Sequence, residues 1–316
     1  MPRHARACAA LLSPIVAALL LAPGAAATGI PQPHSPAPAK NGHAKSGIAK
    51  NGPAKSGPRA QDSCGNPPAV HPDRFPASPR VNNTFLPLRP GTRLVLTGDV
   101  AGEDHRVVTT VTDLTKVIDG VRTVVAFDQD FNGDEIQESE LAFFAQDGRG
   151  TVWRLGEYPE IYENGHLVGA PDTWISGVAD AKAGFAMLAR PRVGTPTYTE
   201  GLAPEIDFLD CATVVQTGQS VCVEAGCFEN VLVTDEFAPL DPEGGHQRKF
   251  YAPHVGNIKV EPVGGDNPET LSLTEVTRLS PKELAAVRRE VLQQDRRGYR
   301  ISPDVYGTTP PAERAS

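Results

Sequence analysis

The run Asp128-Gln129-Asp130-Phe131-Asn132-Gly133-Asp134 is the stretch whose residue types and spacing best fit a metal loop. Calcium takes about six to eight hard oxygens, and a loop with Asp or Asn at alternating positions and glycine at the turn supplies them. Asp128, Asp130 and Asn132 occupy the first three ligand positions, Gly133 the turn and Asp134 the next ligand position. The closing position falls on Ser139, with Glu138 just before it, and strands rather than helices flank the loop. The ligand set expected for a structural calcium ion is therefore Asp128, Asp130, Asn132, Asp134 and Glu138. The competing reading is a plain β-hairpin turned by Asn132-Gly133, which needs no metal and leaves the chain without a cofactor.

No other reaction is written in the motifs. No histidine pair has zinc-site spacing, and no nucleophile elbow, phosphate loop or dinucleotide fingerprint occurs. Carboxylates are abundant, 38 Asp and Glu in 316 residues, so no catalytic pair can be nominated from them. Phe143, Trp153, Trp174, Phe185 and Met187 are apolar or aromatic residues of the central region. They either fill a core or line a cavity for an apolar ligand or lipid. The segment 184–199 is apolar, irregular and longer than an ordinary connection, which is the profile of a lid.

The elements that must position these groups are strands. From Thr92 to Thr277 the sequence alternates, is rich in β-branched and aromatic residues, and is cut by Asp119-Gly120, Asn132-Gly133, Asp147-Gly148 and Asn164-Gly165. Asx-Gly pairs between alternating runs signal tight hairpins, and successive hairpins without helices make an antiparallel meander. Ser280-Pro281-Lys282-Glu283 is a capping box with proline in the first turn, opening an amphipathic helix on Leu284, Val287, Val291 and Leu292. The expected fold is mostly β: a single antiparallel, strongly curved meander sheet, half-barrel or barrel-like, over residues 61–278. A C-terminal helix at 279–297 and a flexible tail at 298–316 follow.

The first 27 residues read as an export signal, with Arg3 and Arg6 before the apolar run Leu11–Leu21 and the small residues Ala25-Ala26-Ala27. That run is too short to span a bilayer, which takes about 20 residues. Residues 28–60 hold a Lys/Gly/Pro/Ala repeat centred on Lys40, Lys45, Lys50 and Lys55 and are expected to form a disordered linker. Its lysines either space the domain or hold it weakly to an anionic envelope polymer. Residues 1–59 carry seven basic side chains and no acid, so the net charge of −8 leaves −15 on the remainder, a body unsuited to gripping nucleic acid. Beyond the signal, Cys64, Cys211, Cys222 and Cys227 suit two disulfides in a secreted or periplasmic protein. Three connectivities are open; Cys222–Cys227 across a turn, with Cys64–Cys211, is the expected one.

The segment Asn83-Thr84-Phe85-Leu86-Pro87-Leu88-Arg89-Pro90-Gly91-Thr92 resembles the entry to the β-domain of a family of uncharacterised exported bacterial proteins. Gly226-Cys227-Phe228-Glu229-Asn230-Val231-Leu232 and Tyr251-Ala252-Pro253-His254-Val255-Gly256 resemble the same family, in the same order. The resemblance implies a strongly curved antiparallel sheet similar to the half-barrels of periplasmic lipoprotein carriers. It brings no catalytic residues, and Leu94 and Leu96 stand where the family commonly has Trp or Tyr. The expected function is a non-catalytic secreted or periplasmic envelope module that binds an apolar ligand in its curved sheet. The alternatives are a hydrolase of an envelope polymer with an unrecognised carboxylate pair, and a calcium-stabilised adhesive module.

Overall fold

The computed structural model describes residues 64–266 and 268–315. The expected export signal and lysine-repeat linker lie outside them. Residues 64–80 run along the outside of the molecule, and β1 (Val81–Asn82) and β2 (Pro87–Leu88) then form a short antiparallel pair. Five long strands follow as a meander: β3 (Thr92–Val100), β4 (Glu103–Ile118), β5 (Val121–Asn132), β6 (Glu135–Gln146) and β7 (Val152–Glu163). Two short strands, β8 (His166–Gly169) and β9 (Trp174–Ile175), pair only with β7. A second meander comprises β10 (Lys182–Met187), β11 (Tyr198–Ala203), β12 (Phe208–Val223), β13 (Gly226–Phe237), β14 (His246–Ala252), β15 (Gly256–Val263) and β16 (Glu269–Arg278).

The two meanders join twice. Along one seam β16 pairs with β3, Glu269 opposite Val100 and Arg278 opposite Thr92. Along the other, β10 pairs with β7, Gly184 opposite Arg154. The result is a closed barrel of twelve antiparallel strands, not the open half-barrel admitted above. The difference lies in β10 and β11. The segment 184–199 is not a lid: its first residues are the strand that shuts the wall. Gly184 is needed there, because a Cβ would stand 2.3 Å from the Glu200 backbone.

The helix α1 (Pro281–Ile301) begins at the expected capping box, with Ser280 Oγ accepting from Glu283 N and the Glu283 carboxylate accepting from Ser280 N. It lies on the outer face of the wall. Val287 and Val291 pack with Leu114, Phe143 and Tyr158, while Arg297 holds the buried Glu160 of β7. Residues 298–315 are also docked: Tyr306 is fully buried, and β17 (Glu313–Arg314) adds to the outer side of β4. Lys116 is buried beneath them and donates to Asp295 (2.9 Å), Tyr299 (3.0 Å) and the Pro310 carbonyl (2.8 Å). Burial lowers its pKa despite the Asp295 charge.

Both expected disulfides are present. Cys222 and Cys227 are register partners at the β12–β13 turn, and Cys64 joins the outer N-terminal segment to Cys211 of β12.

Candidate functional site

Side chains that point into the barrel divide it into two storeys. One end is apolar, built from Val111, Val124, Ala126, Phe144, Ala212, Val214, Leu232 and Tyr251. The β1–β2 pair closes it, pushing Leu86 and Leu88 inward among them. Asn83 fixes this plug. Its side-chain oxygen accepts from Phe85 N and Leu86 N, and its amide donates to the carbonyls of Gly150 and Leu188. His254 N donates to the Thr84 carbonyl, so two segments singled out in the sequence, 83–92 and 251–256, bond across the mouth. A void of about 30 Å³, room for about one water, remains beside Leu86, Leu94 and Val111.

The other storey is charged. Asp128 and Asp130 of β5, Glu138 and Glu140 of β6, Glu157 of β7, Glu200 of β11, Asp210 of β12, Glu236 of β13 and Glu269 of β16 all lie buried, none more than 6% exposed. Arg154, Lys249 and His105 lie among them. Arg154 donates to Glu157 (2.6 Å) and Asp210 (3.2 Å), and the Trp174 indole donates to the other oxygen of Glu157 (2.8 Å). Lys249 is 2.9 Å from Glu236, which also accepts from Tyr251 (3.1 Å). His105 Nε2 meets Glu269 at 3.0 Å, and its Nδ1 lies 2.9 Å from Asn132 and 3.3 Å from Asp130.

Nine carboxyl groups face three basic ones, and charge left unpaired in a dry interior is very costly. The surplus is relieved by protons. Burial, reinforced by Glu269 and Asp128 against the pull of His105, pushes Asp130 up to about 8. Burial pushes Asp128 to about 7, and Asp210 to about 7 in spite of Arg154. Burial and neighbouring carboxylates drive Glu138, Glu140 and Glu200 well above the usual carboxylate range. His105 moves the opposite way in charge. Burial alone would lower it, but the Glu269 hydrogen bond and the Asp130 and Glu269 charges raise it to about 9. The lumen thus holds a layer of buried carboxyl groups that retain protons.

The sequence-expected ligands are not brought together as a calcium loop. Asp128, Asp130 and Glu138 face the lumen, Asn132 bonds His105, and Asp134 stands exposed on the β5–β6 turn. Among the described residues, no group of three or more His, Cys, Asp or Glu converges as metal ligands do. The five apolar candidates also part company. Phe143 is under α1, Trp174 stacks on Phe208, and Met187 joins the apolar storey. Trp153 and Phe185 meet edge to face on the outer wall, 4.7 Å between centroids. There they border a cleft of about 380 Å³ with His71, Arg74, Asp147 and Arg149. A second outer cleft, of about 420 Å³, lies between β16, β3, β4, β5 and the start of α1.

No protein-family model and no curated protein sequence matches the chain. Two solved structures are similar to it. One is a Bacteroides fragilis protein described as exported and as having a YmcC-like fold, 13% identical with a TM-score of 0.34. The other is described as a lipoprotein of Parabacteroides distasonis, 14% identical with a TM-score of 0.30. Each likeness covers 62% of this chain and 99% of the other. No helix among the described residues is long and apolar enough to cross a membrane.

Proposed function

We propose that the chain is a non-catalytic module of the cell envelope that binds through the outside of its barrel, while the lumen serves stability. The observation that carries this reading is the filling of the lumen. Its apolar end is stoppered by the chain's own Leu86 and Leu88 and keeps a void of about 30 Å³ beside them, far below the several hundred Å³ of ordinary ligand sites. A lipid could enter only by expelling the plug. The outer wall, by contrast, carries clefts of about 380 and 420 Å³.

The same geometry speaks against hydrolysis. The carboxylates lie close together, as a glycosidase would want, but they are enclosed, and a polymer cannot thread a shut barrel. Export is supported by two disulfides, which persist in oxidising compartments, together with the signal-like first 27 residues. The resemblance of segment 83–92 to exported bacterial β-domains agrees with this, since that segment builds the plug. Native mass spectrometry of protein purified from its own host tests the reading. The mass of the polypeptide alone is expected, and a stoichiometric lipid that leaves only on unfolding would overturn it.

A further inference from the structure

Lys249 of β14 and Glu236 of β13 are diagonal neighbours on the inner face of the barrel, since Thr234 stands opposite Lys249 and Glu236 opposite Gln247. Nζ of Lys249 lies 2.9 Å from Oε2 of Glu236, which accepts no aligned hydrogen bond among the described residues. The other oxygen, Oε1, is held by two donating hydroxyls, Thr234 Oγ1 at 2.7 Å and Tyr251 OH at 3.1 Å. A third group completes the set. Glu200 of β11 acts electrostatically on both members of the pair, and its Oε2 is buried without a hydrogen-bond partner. Burial first, then the Glu236 charge, hold its carboxyl well above the usual carboxylate range, so it carries a proton. Lys249, Glu236 and Glu200 are all at most 3% exposed.

This is more than an ion pair needs. An amine held at a carboxyl group, two donors on the oxygen that takes up negative charge, and an acid beside the oxygen that departs are the parts of an acyl transfer. We propose that Lys249 and Glu236 condense into an amide cross-link between β13 and β14, once per molecule. Lys249 passes one proton to Oε2, and the freed electron pair of Nζ attacks Cδ of Glu236. The Nζ–Cδ bond forms and the Cδ–Oε2 bond breaks. Oε2 leaves as water, taking that proton and a second from the attacking nitrogen, relayed through Glu200, which ends protonated as it began. Nothing is oxidised or reduced, and no co-reactant enters. The Glu236 and Glu200 charges hold the ammonium charged and slow the first transfer. Burying two opposite charges in a dry interior works the other way, because a neutral amide removes their desolvation penalty. Lys116 also lies 2.9 Å from a carboxylate, that of Asp295, but its three protons are taken up by Asp295, Tyr299 and the Pro310 carbonyl. Asp295 is the only carboxylate acting on it among the described residues, so that pair stays ionic and serves as an internal control.

The test uses the full mature chain, folded with both disulfides and then denatured, reduced and alkylated. Its intact mass should fall short of the sequence by one water. Tandem mass spectrometry should find tryptic peptides 193–248 and 249–259 joined through Glu236 and Lys249. Glu236→Gln should reach the same product mass, because its amide expels ammonia instead. Lys249→Arg and Glu200→Gln should keep the full mass of their sequences. The wild-type measurement needs no variant to fold, and a full sequence mass there would overturn the inference. So would a lost water that maps elsewhere, to Lys116 and Asp295 or to a succinimide in a turn, or one that persists in Lys249→Arg or Glu200→Gln. The outcome does not depend on what the outer wall binds, since a missing water cannot mimic a bound lipid.

Discussion

Arg154 and Glu157 are three residues apart on β7 and yet meet inside the barrel at 2.6 Å. In a regular strand, residues i and i+3 point to opposite faces. Here Phe144 pairs with Arg154 and Phe143 with Gly156, so Leu155 is an extra residue and the bulge returns Glu157 to the inner face. Gly156 makes this feasible, since a Cβ there would stand 2.7 Å from the Trp174 carbonyl. The bulge thus places a carboxylate on each side of the one arginine of the lumen.

Removing that arginine should be costly. Arg154→Gln leaves Glu157 and Asp210 buried beside their neighbours without a cation, a change worth about 3–5 kcal/mol. Urea unfolding of the variant should show a clear loss in midpoint. Lys259→Gln, which breaks a pair with Glu261 that is partly exposed on both sides, should cost about 1 kcal/mol or less. Equal losses in the two would refute the special standing of Arg154.

Stability should fall as pH rises. Asp128, Asp130 and Asp210 have folded pKa values of about 7, 8 and 7 against an ordinary 3.8, so the folded state holds protons that the unfolded chain has released. Their contribution is complete below about pH 4 and is lost on the way to about pH 8, each group adding a slope of about 1.4 kcal/mol per pH unit. His105, raised from 6.5 to about 9, loses its contribution over that higher window, in the same direction. Melting temperatures from pH 5 to 9 should decline steadily. A maximum near pH 8 would contradict the proton-holding lumen.

The two disulfides should differ in worth. Cys64–Cys211 closes a separation of 147 residues and Cys222–Cys227 one of 5. Chain-entropy arguments give about 5 kcal/mol for the former and about 2 kcal/mol for the latter. Cys64→Ala/Cys211→Ala should therefore lower the urea midpoint more than Cys222→Ala/Cys227→Ala. The reverse order would mean that the outer N-terminal segment is held mainly by its other contacts.

Deleting residues 280–316 should destabilise the barrel without opening it. The helix and tail cover the outer wall at Leu114, Phe143 and Tyr158, and they supply the only carboxylate ion-paired to buried Lys116 among the described residues. The truncated chain should bind dyes that report exposed apolar surface, yet gain no specific affinity for a fluorescent fatty acid. A stably folded truncation that takes up the fatty acid would make α1 a lid after all.

Strand order through the long hairpins was legible, because turn pairs such as Asp119-Gly120 and Asn164-Gly165 mark where the chain reverses. So were the helix start and both disulfides. The closing strands β10 and β11 were not: Gly184, Gly201 and two prolines in 191–196 read as loop, and only close backbone contact explains the glycines. The charged storey was hidden for a different reason. In Phe127-Asp128-Gln129-Asp130-Phe131, alternation ordinarily sends the aromatic residues inward and the acids to water. Here α1 and the chain end cover the outer wall, so Phe127 is buried facing out and Asp128 and Asp130 face in. Local pattern cannot tell which side of a sheet is covered twice.

The β3–β16 seam also dictates a timetable. Residue 92 must wait for residue 278, so a chain emerging end first from a ribosome or a translocation channel cannot complete its wall until nearly nine-tenths of its length is out. Pairings of such long range form slowly, and until then both edges of the growing sheet are open to strands of other molecules. A chaperone that shelters unpaired strand edges would raise the yield of folded protein more than one that only isomerises its prolines.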